Sequence, residues 1–304
     1  MRVLITGVSG FAGYYAALRL AAAGHDVTGL VRNPDQPRLD VLRTHEVTIA
    51  AGDVSQPDTY RDVLAKSHVI IHTMLDKKQP QKTDRALFGA IAALPEQPGT
   101  RRRFIYTTGC SIFGKTGIRV MDETAEPNPD HALGFRRGLE KEALALPVGV
   151  VVLRPGFMYG NDGYNSVSTD WFAMAEAGEG IYRGDREKGW SWIHIDDLAE
   201  AYLLVAEAGR SIDGEVFCLA DEQRPQCVDV MRRCVTAAGY HGEIRFEGPL
   251  AGDNVSTWFD QNEFMTSEKA RRLLGWVPRR PGILDCIPAA YASWKVAQRL
   301  NQAR

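Results

Sequence analysis

The stretch that decides the fold is TGVSGFAG at residues 6–13. It follows a short apolar run at Arg2–Thr6 and opens a helical pattern over Gly10–Ala23. Glycines at this spacing permit a tight turn, while the N-terminus of the helix presents free N–H groups and the positive end of its dipole. Both features favour a pyrophosphate. The stretch therefore predicts a dinucleotide site, with contacts expected from Gly7, Ser9, Gly10, Phe11, Ala12 and Gly13.

Further β-branched runs follow this loop and are separated by helical patterns. They lie at Asp26–Val31, Val47–Ala50, Val69–Thr73, Arg103–Thr107 and Val148–Leu153. Near-continuous apolar strands that alternate with helices indicate a parallel sheet covered on both faces. The first half therefore predicts an α/β fold of the Rossmann type, with a doubly wound parallel sheet.

The rhythm of the sequence changes after about Gly160. Glycines punctuate short polar and aromatic segments, followed by a helical pattern at Asp196–Ala208 and a strand-like run at Glu215–Leu219. We expect a smaller C-terminal α+β lobe that covers the substrate. The predicted division is a dinucleotide-binding domain at 1–160 and a substrate lobe at 161–304, with some chain crossing back to the sheet.

Composition narrows the class of protein. The 304 residues are 44% hydrophobic and 24% charged with a net charge of −2, which is typical of a soluble globular protein and excludes disorder as the main state. No basic excess indicates a nucleic-acid partner, and no apolar run reaches the roughly 18 residues needed to span a bilayer. We therefore expect a cytoplasmic protein.

The cysteines carry no pattern that indicates a metal site or a disulfide framework. The five are scattered and form no C-x-x-C pair. We therefore expect no metal, and any redox chemistry has to come from a bound cofactor. The five residues are Cys110, Cys218, Cys227, Cys234 and Cys286.

Arg32 decides the choice of cofactor. The second strand of a dinucleotide-binding unit ends in an acidic residue when the ribose 2′-hydroxyl is bound, whereas here Arg32 follows Val31. A guanidinium can hold a 2′-phosphate with two hydrogen bonds, so we expect NADP, with NAD as the alternative. An arginine solvated at a strand end is the simpler interpretation.

Other strand ends add candidate cofactor contacts. Asp53 and Val54 follow the third strand and suit the edge of an adenine, while Thr73 and Met74 follow the fourth and suit a wall beside the nicotinamide ribose. Ordinary strand-end turns explain the same residues.

Taken in order, several segments resemble the short-chain dehydrogenase/reductase superfamily in its extended form, the NAD-dependent epimerases and dehydratases. The resemblance implies cofactor contacts from Thr107 and from Pro155, Phe157 and Met158, which match the stretch that packs on nicotinamide. The matching segments are Thr6–Gly13, Gly52-Asp53, Ile71-His72, Tyr106–Gly114, Leu153–Gly160 and Trp192–Ala199.

The same resemblance exposes a departure at the catalytic positions. The family uses a Ser or Thr, a Tyr as acid/base, and a Lys four residues after the Tyr. Aligned on Gly114 and on Leu139-Glu140, these positions fall on Gly109, Gly134 and Gly138. Glycine has no side chain to move a proton, so ordinary Tyr-dependent carbonyl reduction is disfavoured.

Four side chains near these positions are candidates to handle protons instead. Arg136 is the most attractive, because a fixed cation can polarise a carbonyl or hold a carboxylate. The others are Thr108, Cys110 and Tyr159, and the sequence also offers Ser111, His131 and Arg137 near these positions. The simpler interpretation of each is structural: a surface arginine, a strand-end threonine, an inert buried thiol and the tyrosine of an ordinary Tyr-Gly turn.

The substrate side also departs from the enzymes that act on nucleotide sugars. The resemblance places Trp190 where they carry an Arg for the diphosphate, and Phe157 where they carry an Asn. An apolar or aromatic small molecule is favoured instead, although the aromatic residues also suit a core between the lobes. The proposed wall comprises Trp190, Trp192, Phe157, Met158, Tyr159, Tyr164 and Trp171.

Three functional hypotheses remain open. The leading one is an NADP(H)-binding oxidoreductase of epimerase/dehydratase type that acts on a small carbonyl compound without the usual Ser, Tyr and Lys. A non-catalytic redox sensor or scaffold that binds the dinucleotide is the second. The third is a lyase, epimerase or hydrolase that retains the cofactor without net redox change. The oligomeric state is also open, although the resemblance allows a homodimer, since members of the superfamily often pair through the helix that corresponds to residues 135–146.

Overall fold

A single parallel sheet of seven strands organises the chain in the computed structural model, which describes residues 1–95, 102–126, 128 and 131–302. The predicted Rossmann-type α/β fold is confirmed. Its strands, in spatial order, are β10 (Val216–Leu219), β6 (Gly149–Pro155), β5 (Arg103–Thr107), β4 (Val69–His72), β1 (Arg2–Thr6), β2 (Asp26–Val31) and β3 (Thr48–Ala51).

Helices cover both faces of this sheet. They are α1 (Phe11–Ala22), α2 (Arg38–Thr44), α3 (Arg61–Lys66), α4 (Pro80–Ala92), α5 (Arg136–Leu144) and α7 (Ile195–Glu207). Successive side chains of a strand point to opposite faces. Val3 and Ile5 of β1 accordingly pack with α1 and α7, whereas Leu4 packs on the other face with Leu87 of α4 and Leu139 of α5.

The second half contributes to both the sheet and a smaller lobe. Strand β10 pairs with β6, with Val216 opposite Val152, and α7 packs along α1. The predicted division at residue 160 stays a prediction. The lobe contains β7 (Phe157–Tyr159), α6 (Val167–Glu176), β8 (Ile181–Arg183), β9 (Trp192–His194), α8 (Cys227–Ala237), β11 (Arg245–Glu247), α9 (Asn254–Thr257), α10 (Glu268–Leu274) and α11 (Ile283–Gln302).

Strand β6 runs two residues beyond its predicted end. Pairing with β10 continues through Cys218 opposite Arg154 and Leu219 opposite Pro155, which extends the ladder past Leu153. Because that partner strand is more than 60 residues away in the chain, the local pattern does not reveal the extension. The extension brings Pro155 to the edge of the sheet where the other parallel strands end.

The loop between β1 and α1 packs tightly against the end of β4. Gly7 has a φ of +79°, and its carbonyl accepts a hydrogen bond from the Gly10 N–H at 2.9 Å. A Cβ on Gly13 would overlap the Gly7 carbonyl oxygen and lie 2.7 Å from Thr73 Oγ1. Only glycine fits at residue 13, because any side chain there would push the loop off the strand.

Replacing Gly13 by alanine tests this packing. We expect Gly13→Ala to lower the free energy of unfolding by about 1–3 kcal/mol, since the added methyl group meets backbone that cannot yield. Gly89→Ala in α4 is the matched control, because a Cβ there meets nothing within 4 Å and alanine favours a helix. Chemical denaturation measures both variants. Equal stability of the two would contradict the tight fit of the loop.

Candidate active site

The predicted cofactor residues meet at one edge of the sheet. After β3 the chain crosses back and adds β4 on the other side of β1, so the strand order reverses between β1 and β4. Ligands of such sheets bind at the carboxyl ends of the strands at this switch point. Thr73 donates a hydrogen bond to the Thr6 carbonyl at 2.9 Å, and a Cβ on Gly7 would lie 2.8 Å from the Met74 nitrogen. The structure thus brings the glycine loop together with Thr73 and Met74, while Thr107 and Pro155 end the next two strands.

The loop suits a pyrophosphate. Gly10 precedes α1 in an extended conformation, no side chain of the described residues caps the helix, and its first turn contains no acidic residue. Ser9 and Gly10 are partly exposed, whereas the side chains of Phe11 and Ala12 are buried and leave only their backbone N–H groups for a ligand. Free N–H groups at the positive end of a helix dipole attract an anion. The residues present therefore fit the dinucleotide that the sequence predicts.

Arg32 is exposed directly after β2. It makes no ion pair with any residue that the structure describes. Hydrogen bonds from Gln79, Lys78 and Thr83 lower the pKa of Asp76, and the positive charge of Arg32 lowers it further. Arg32 and Asp76 therefore lie on the same surface. This guanidinium is available to an anion.

Asp53 and Val54 form the turn after β3. Asp53 Oδ1 accepts hydrogen bonds from the backbone N–H and hydroxyl of Ser55, at 2.9 and 2.8 Å. Val54 is buried, and its carbonyl accepts a hydrogen bond from Tyr60 at 3.0 Å. These contacts stabilise the turn. The predicted role of Asp53 and Val54 beside an adenine stays a prediction.

Gly109 and Gly138 have room for side chains. A Cβ on Gly109 would meet only the Pro155 carbonyl oxygen, at 3.7 Å, and one on Gly138 would meet nothing within 4 Å. Gly134 lies just before α5, where its N–H donates to the His131 carbonyl at 2.8 Å. Packing therefore does not explain why glycine stands at residues 109 and 138.

Thr108 belongs to a buried hydrogen-bond network that links β5, β6 and α5. Its hydroxyl donates to Glu140 at 2.6 Å, and Arg154 donates to both oxygens of Glu140, at 3.1 and 2.6 Å. All three residues are buried. The Thr108 hydroxyl donates to a carboxyl group that is already paired with the Arg154 guanidinium, and this ion pair disfavours the role in proton handling that the sequence suggests.

Cys110 and Tyr159 are also enclosed. Burial, together with Glu263, raises the pKa of the Cys110 thiol, which disfavours a thiolate nucleophile. Tyr159 is fully buried in the C-terminal lobe, where its hydroxyl donates to Asp221 at 2.9 Å and to the Pro281 carbonyl at 2.8 Å. Burial raises the pKa of Tyr159 as well. Neither side chain presents a reactive group to an open site.

Arg136 differs from these three. It is half-buried at the start of α5, and its side chain makes no hydrogen bond or ion pair with the described residues. Burial and the Asp84 carboxylate raise the pKa of Tyr106, and the positive charge of Arg136 offsets part of this increase. The structure thus leaves an unpaired cation close to the end of the sheet.

Sequence reasoning missed a buried polar chain behind the glycine loop. Thr6 Oγ1 lies 2.6 Å from His72 Nδ1, and His72 Nε2 lies 3.1 Å from Asp84, which also accepts a hydrogen bond from Tyr106. The chain links β1, β4, β5 and α4. Thr6 and His72 were visible as polar strand ends, but no local signal marks Asp84 as their partner.

A buried carboxyl at Glu263 was missed as well. It is 1% exposed and accepts hydrogen bonds from Ser111 at 2.7 Å and from Gln261 at 3.1 Å. Burial raises its pKa to about 7. In the sequence it stands in a polar run typical of a loop, 152 residues from Ser111.

Most of the predicted aromatic wall lies in the core of the lobe. Trp190, Trp192 and Tyr159 are fully buried and Trp171 nearly so, because they pack against α6, α8 and α11. The prediction of a pocket wall is therefore wrong for these four. Phe157 keeps a partly exposed ring that stacks on Trp190 at 4.0 Å between centroids. Met158 and Tyr164 also retain exposed surface.

Two features are absent from the described residues. No three side chains of His, Cys, Asp or Glu are grouped so that they could hold a metal ion. Across residues 1–95, 102–126, 128 and 131–302, no helix combines the length and apolarity that a membrane span requires.

Comparison with known proteins agrees with this geometry. The chain is 26% identical to an uncharacterised protein of Saccharomyces cerevisiae over 96% of this chain and 99% of that protein. It is 24% identical to a 3-diazoavenalumate denitrifying reductase of a Streptomyces species over 94% and 98%. The crystal structure of the UDP-glucose 4-epimerase of Thermotoga maritima with UDP-glucose covers 98% of this chain and 100% of its own, with a TM-score of 0.81 at 18% identity.

A match to a family profile establishes the family. The profile of the NAD-dependent epimerase/dehydratase family matches residues 3–220, which include the glycine loop and the seven strands of the sheet apart from the first residue of β1. The predicted resemblance is thereby confirmed. This chain belongs to the NAD-dependent epimerase/dehydratase family, and it is an NAD(P)-dependent enzyme of that family.

Proposed function

We propose that the protein is an NADP(H)-dependent oxidoreductase that reduces a small apolar or aromatic carbonyl compound without the Ser, Tyr and Lys of its relatives. The observation that carries the proposal is the glycine loop, which is shaped for a dinucleotide, in a chain that has glycine at residues 109, 134 and 138. The bound dinucleotide supplies the hydride. This chain's residues bind it, orient the substrate and handle the proton.

Arg32 supports NADP rather than NAD. Arg32 follows β2 directly, is exposed and forms no ion pair with the described residues, so its guanidinium would be free to bind a 2′-phosphate. Val31 and Arg32 stand where an acidic side chain would bind a 2′-hydroxyl. Pro155, Phe157 and Met158 would pack against the nicotinamide end. These residues lie at the end of β6 and in β7.

The surroundings of Phe157 support an apolar substrate. Its ring is held by Trp190 behind it and by Phe259 edge-on at 5.3 Å. The Trp190 indole N–H already donates to the carbonyls of Phe259 and Gln261, at 3.2 and 3.1 Å. Trp190 therefore offers no donor to a diphosphate, while a rigid aromatic face suits a flat apolar molecule. The similarity to a reductase also supports reduction as the activity.

Arg136 would act on the oxygen of the substrate. A cation without a partner stabilises the negative charge that develops on a carbonyl oxygen during reduction. Because the guanidinium is already half-buried, less water screens that charge than at an exposed site.

Exchange of Arg32 for aspartate tests the cofactor. We expect Arg32→Asp to raise the Kd for NADPH relative to that for NADH by at least about tenfold, because a charge-assisted contact is lost and a like charge is added. Arg61→Asp is the control, since Arg61 is exposed and pairs with Asp58. Nucleotide fluorescence measures both constants. An unchanged ratio in Arg32→Asp would remove the argument for NADP.

Removal of Arg136 tests the reaction. We expect Arg136→Ala to lower kcat for aryl aldehydes by at least about tenfold, with little change in NADPH affinity. The neighbouring Arg137→Ala is the control, because Arg137 pairs with Glu126. Wild-type activity in Arg136→Ala would exclude the assigned role. Tight NADPH binding by the wild-type protein without turnover of aldehydes, ketones or imines would favour a redox sensor.

A further inference from the structure

A buried acid lies behind the turn that follows β5. Ser111 belongs to the short 3-10 helix Cys110–Phe113 and donates its hydroxyl to Glu263 Oε2 at 2.7 Å. Cys110 donates to the same oxygen at 3.4 Å, and Gln261 donates to Oε1 at 3.1 Å. Both oxygens of this carboxyl are therefore held in place.

Glu263 has neutral hydrogen-bond donors and no balancing cation. Among the described residues, no Lys, Arg or His forms an ion pair with it. The titratable groups that face it are the thiols of Cys110 and of Cys227 at the start of α8. The nearest charged pair is satisfied within itself, since Lys188 donates to Asp260 at 3.0 Å. A carboxyl in such surroundings holds its proton more tightly than one in water.

The position of this carboxyl connects it with the candidate active site. Ser111 is two residues after Gly109, where the catalytic Ser or Thr of the family is missing. Glu263 forms a β-bridge with Trp190, whose ring stacks on Phe157. Phe157 also packs against the apolar cluster that contains Cys110 and Ile112. The Glu263–Ser111 pair thus lies between the end of β5 and the proposed substrate face.

We propose that Glu263 and Ser111 form a proton relay to the oxygen of the substrate, with Ser111 as the group that touches substrate and Glu263 as the positioning and proton-storing residue behind it. This inference rests on the proposed function. In the protonated state, Glu263 donates its O–H to Ser111 Oγ, which releases the Ser111 hydroxyl hydrogen toward the substrate.

The carbonyl carbon would accept a hydride, one proton with two electrons, which a reduced nicotinamide dinucleotide would supply, and the C=O π bond would break. The Ser111 proton moves to the carbonyl oxygen, and the Glu263 proton moves to Ser111. The products are an alcohol, the oxidised dinucleotide and the Glu263 carboxylate, which regains a proton from solvent before the next turnover.

The pKa of Glu263 suits this task. Desolvation raises this pKa, the three neutral donors lower it by a smaller amount, and the resulting pKa is about 7. The acid is therefore still partly protonated near neutral pH, where a general acid is most effective. Because the protonated form is the active one, carbonyl reduction should decline as the pH rises through about 7.

Two variants and a matched control test the relay. Glu263→Gln keeps the shape of the side chain and removes its proton, and Ser111→Ala removes the hydroxyl. We expect each to lower kcat for 4-nitrobenzaldehyde by about 10²-fold with unchanged NADPH affinity, and the double variant to lose no more than either one. Glu123→Gln is the control, since Glu123 is a partly buried acid that accepts a hydrogen bond from the Cys218 N–H at 2.7 Å. It should retain wild-type kcat.

Two readouts separate a relay from a merely structural role. The pH dependence of kcat near 7 should disappear in Glu263→Gln and persist in Glu123→Gln. In infrared spectra of the protein without nucleotide, a protonated-carboxyl band should titrate near pH 7, vanish in Glu263→Gln and shift in Ser111→Ala. The second readout does not depend on turnover.

The outcomes distinguish the relay from the proposed function. Wild-type turnover together with an unchanged pH profile in Glu263→Gln, or absence of the titrating band, would overturn the relay and leave the oxidoreductase in place. A wild-type protein that binds NADPH but reduces neither 4-nitrobenzaldehyde nor any other carbonyl tested would overturn both.

Discussion

The contact between the glycine loop and the end of β4 is the constraint on which the rest of the site depends. Gly7 and Gly13 approach each other and Thr73 so closely that neither tolerates a Cβ, and this fixes where α1 begins. The free N–H groups of α1 then face the sheet edge where β1, β4, β5 and β6 end. Cofactor, substrate and proton donor all have to be placed relative to this edge.

Buried polar groups hold that edge from behind. The chain from Thr6 through His72 and Asp84 to Tyr106 links three strands, and the Glu140–Arg154 pair fastens α5 to β6. Such networks are costly when a partner is missing and rigid when every partner is present. The surroundings of Glu263 differ, because its partners are neutral and burial raises the pKa of this carboxyl to about 7. The first two networks therefore maintain the frame, whereas Glu263 retains a group able to change its charge.

The sequence predicts the frame well because the frame is local. Glycine spacing, β-branched runs and helix periodicity each lie within one segment, and β1, β2 and β5 begin and end where they were predicted. The surroundings of individual side chains are not local. Tyr159 and Trp190 are aromatic residues of the kind that line pockets, but α8 and α11, from much later in the chain, bury them. The pairing of Ser111 with Glu263 joins residues 152 positions apart, and no pattern in either segment indicates it.

We propose that the protein keeps the sheet and the glycine loop that bind a dinucleotide, while a different part of the fold supplies the proton donor. A crystal structure with bound NADPH tests this claim most directly. It should show the pyrophosphate against the N–H groups of the glycine loop, the 2′-phosphate on Arg32, and the nicotinamide ring on the side of the sheet edge formed by Phe157 and Ser111. A 2′-phosphate remote from Arg32, or a nicotinamide ring separated from Ser111 by other side chains, would contradict it.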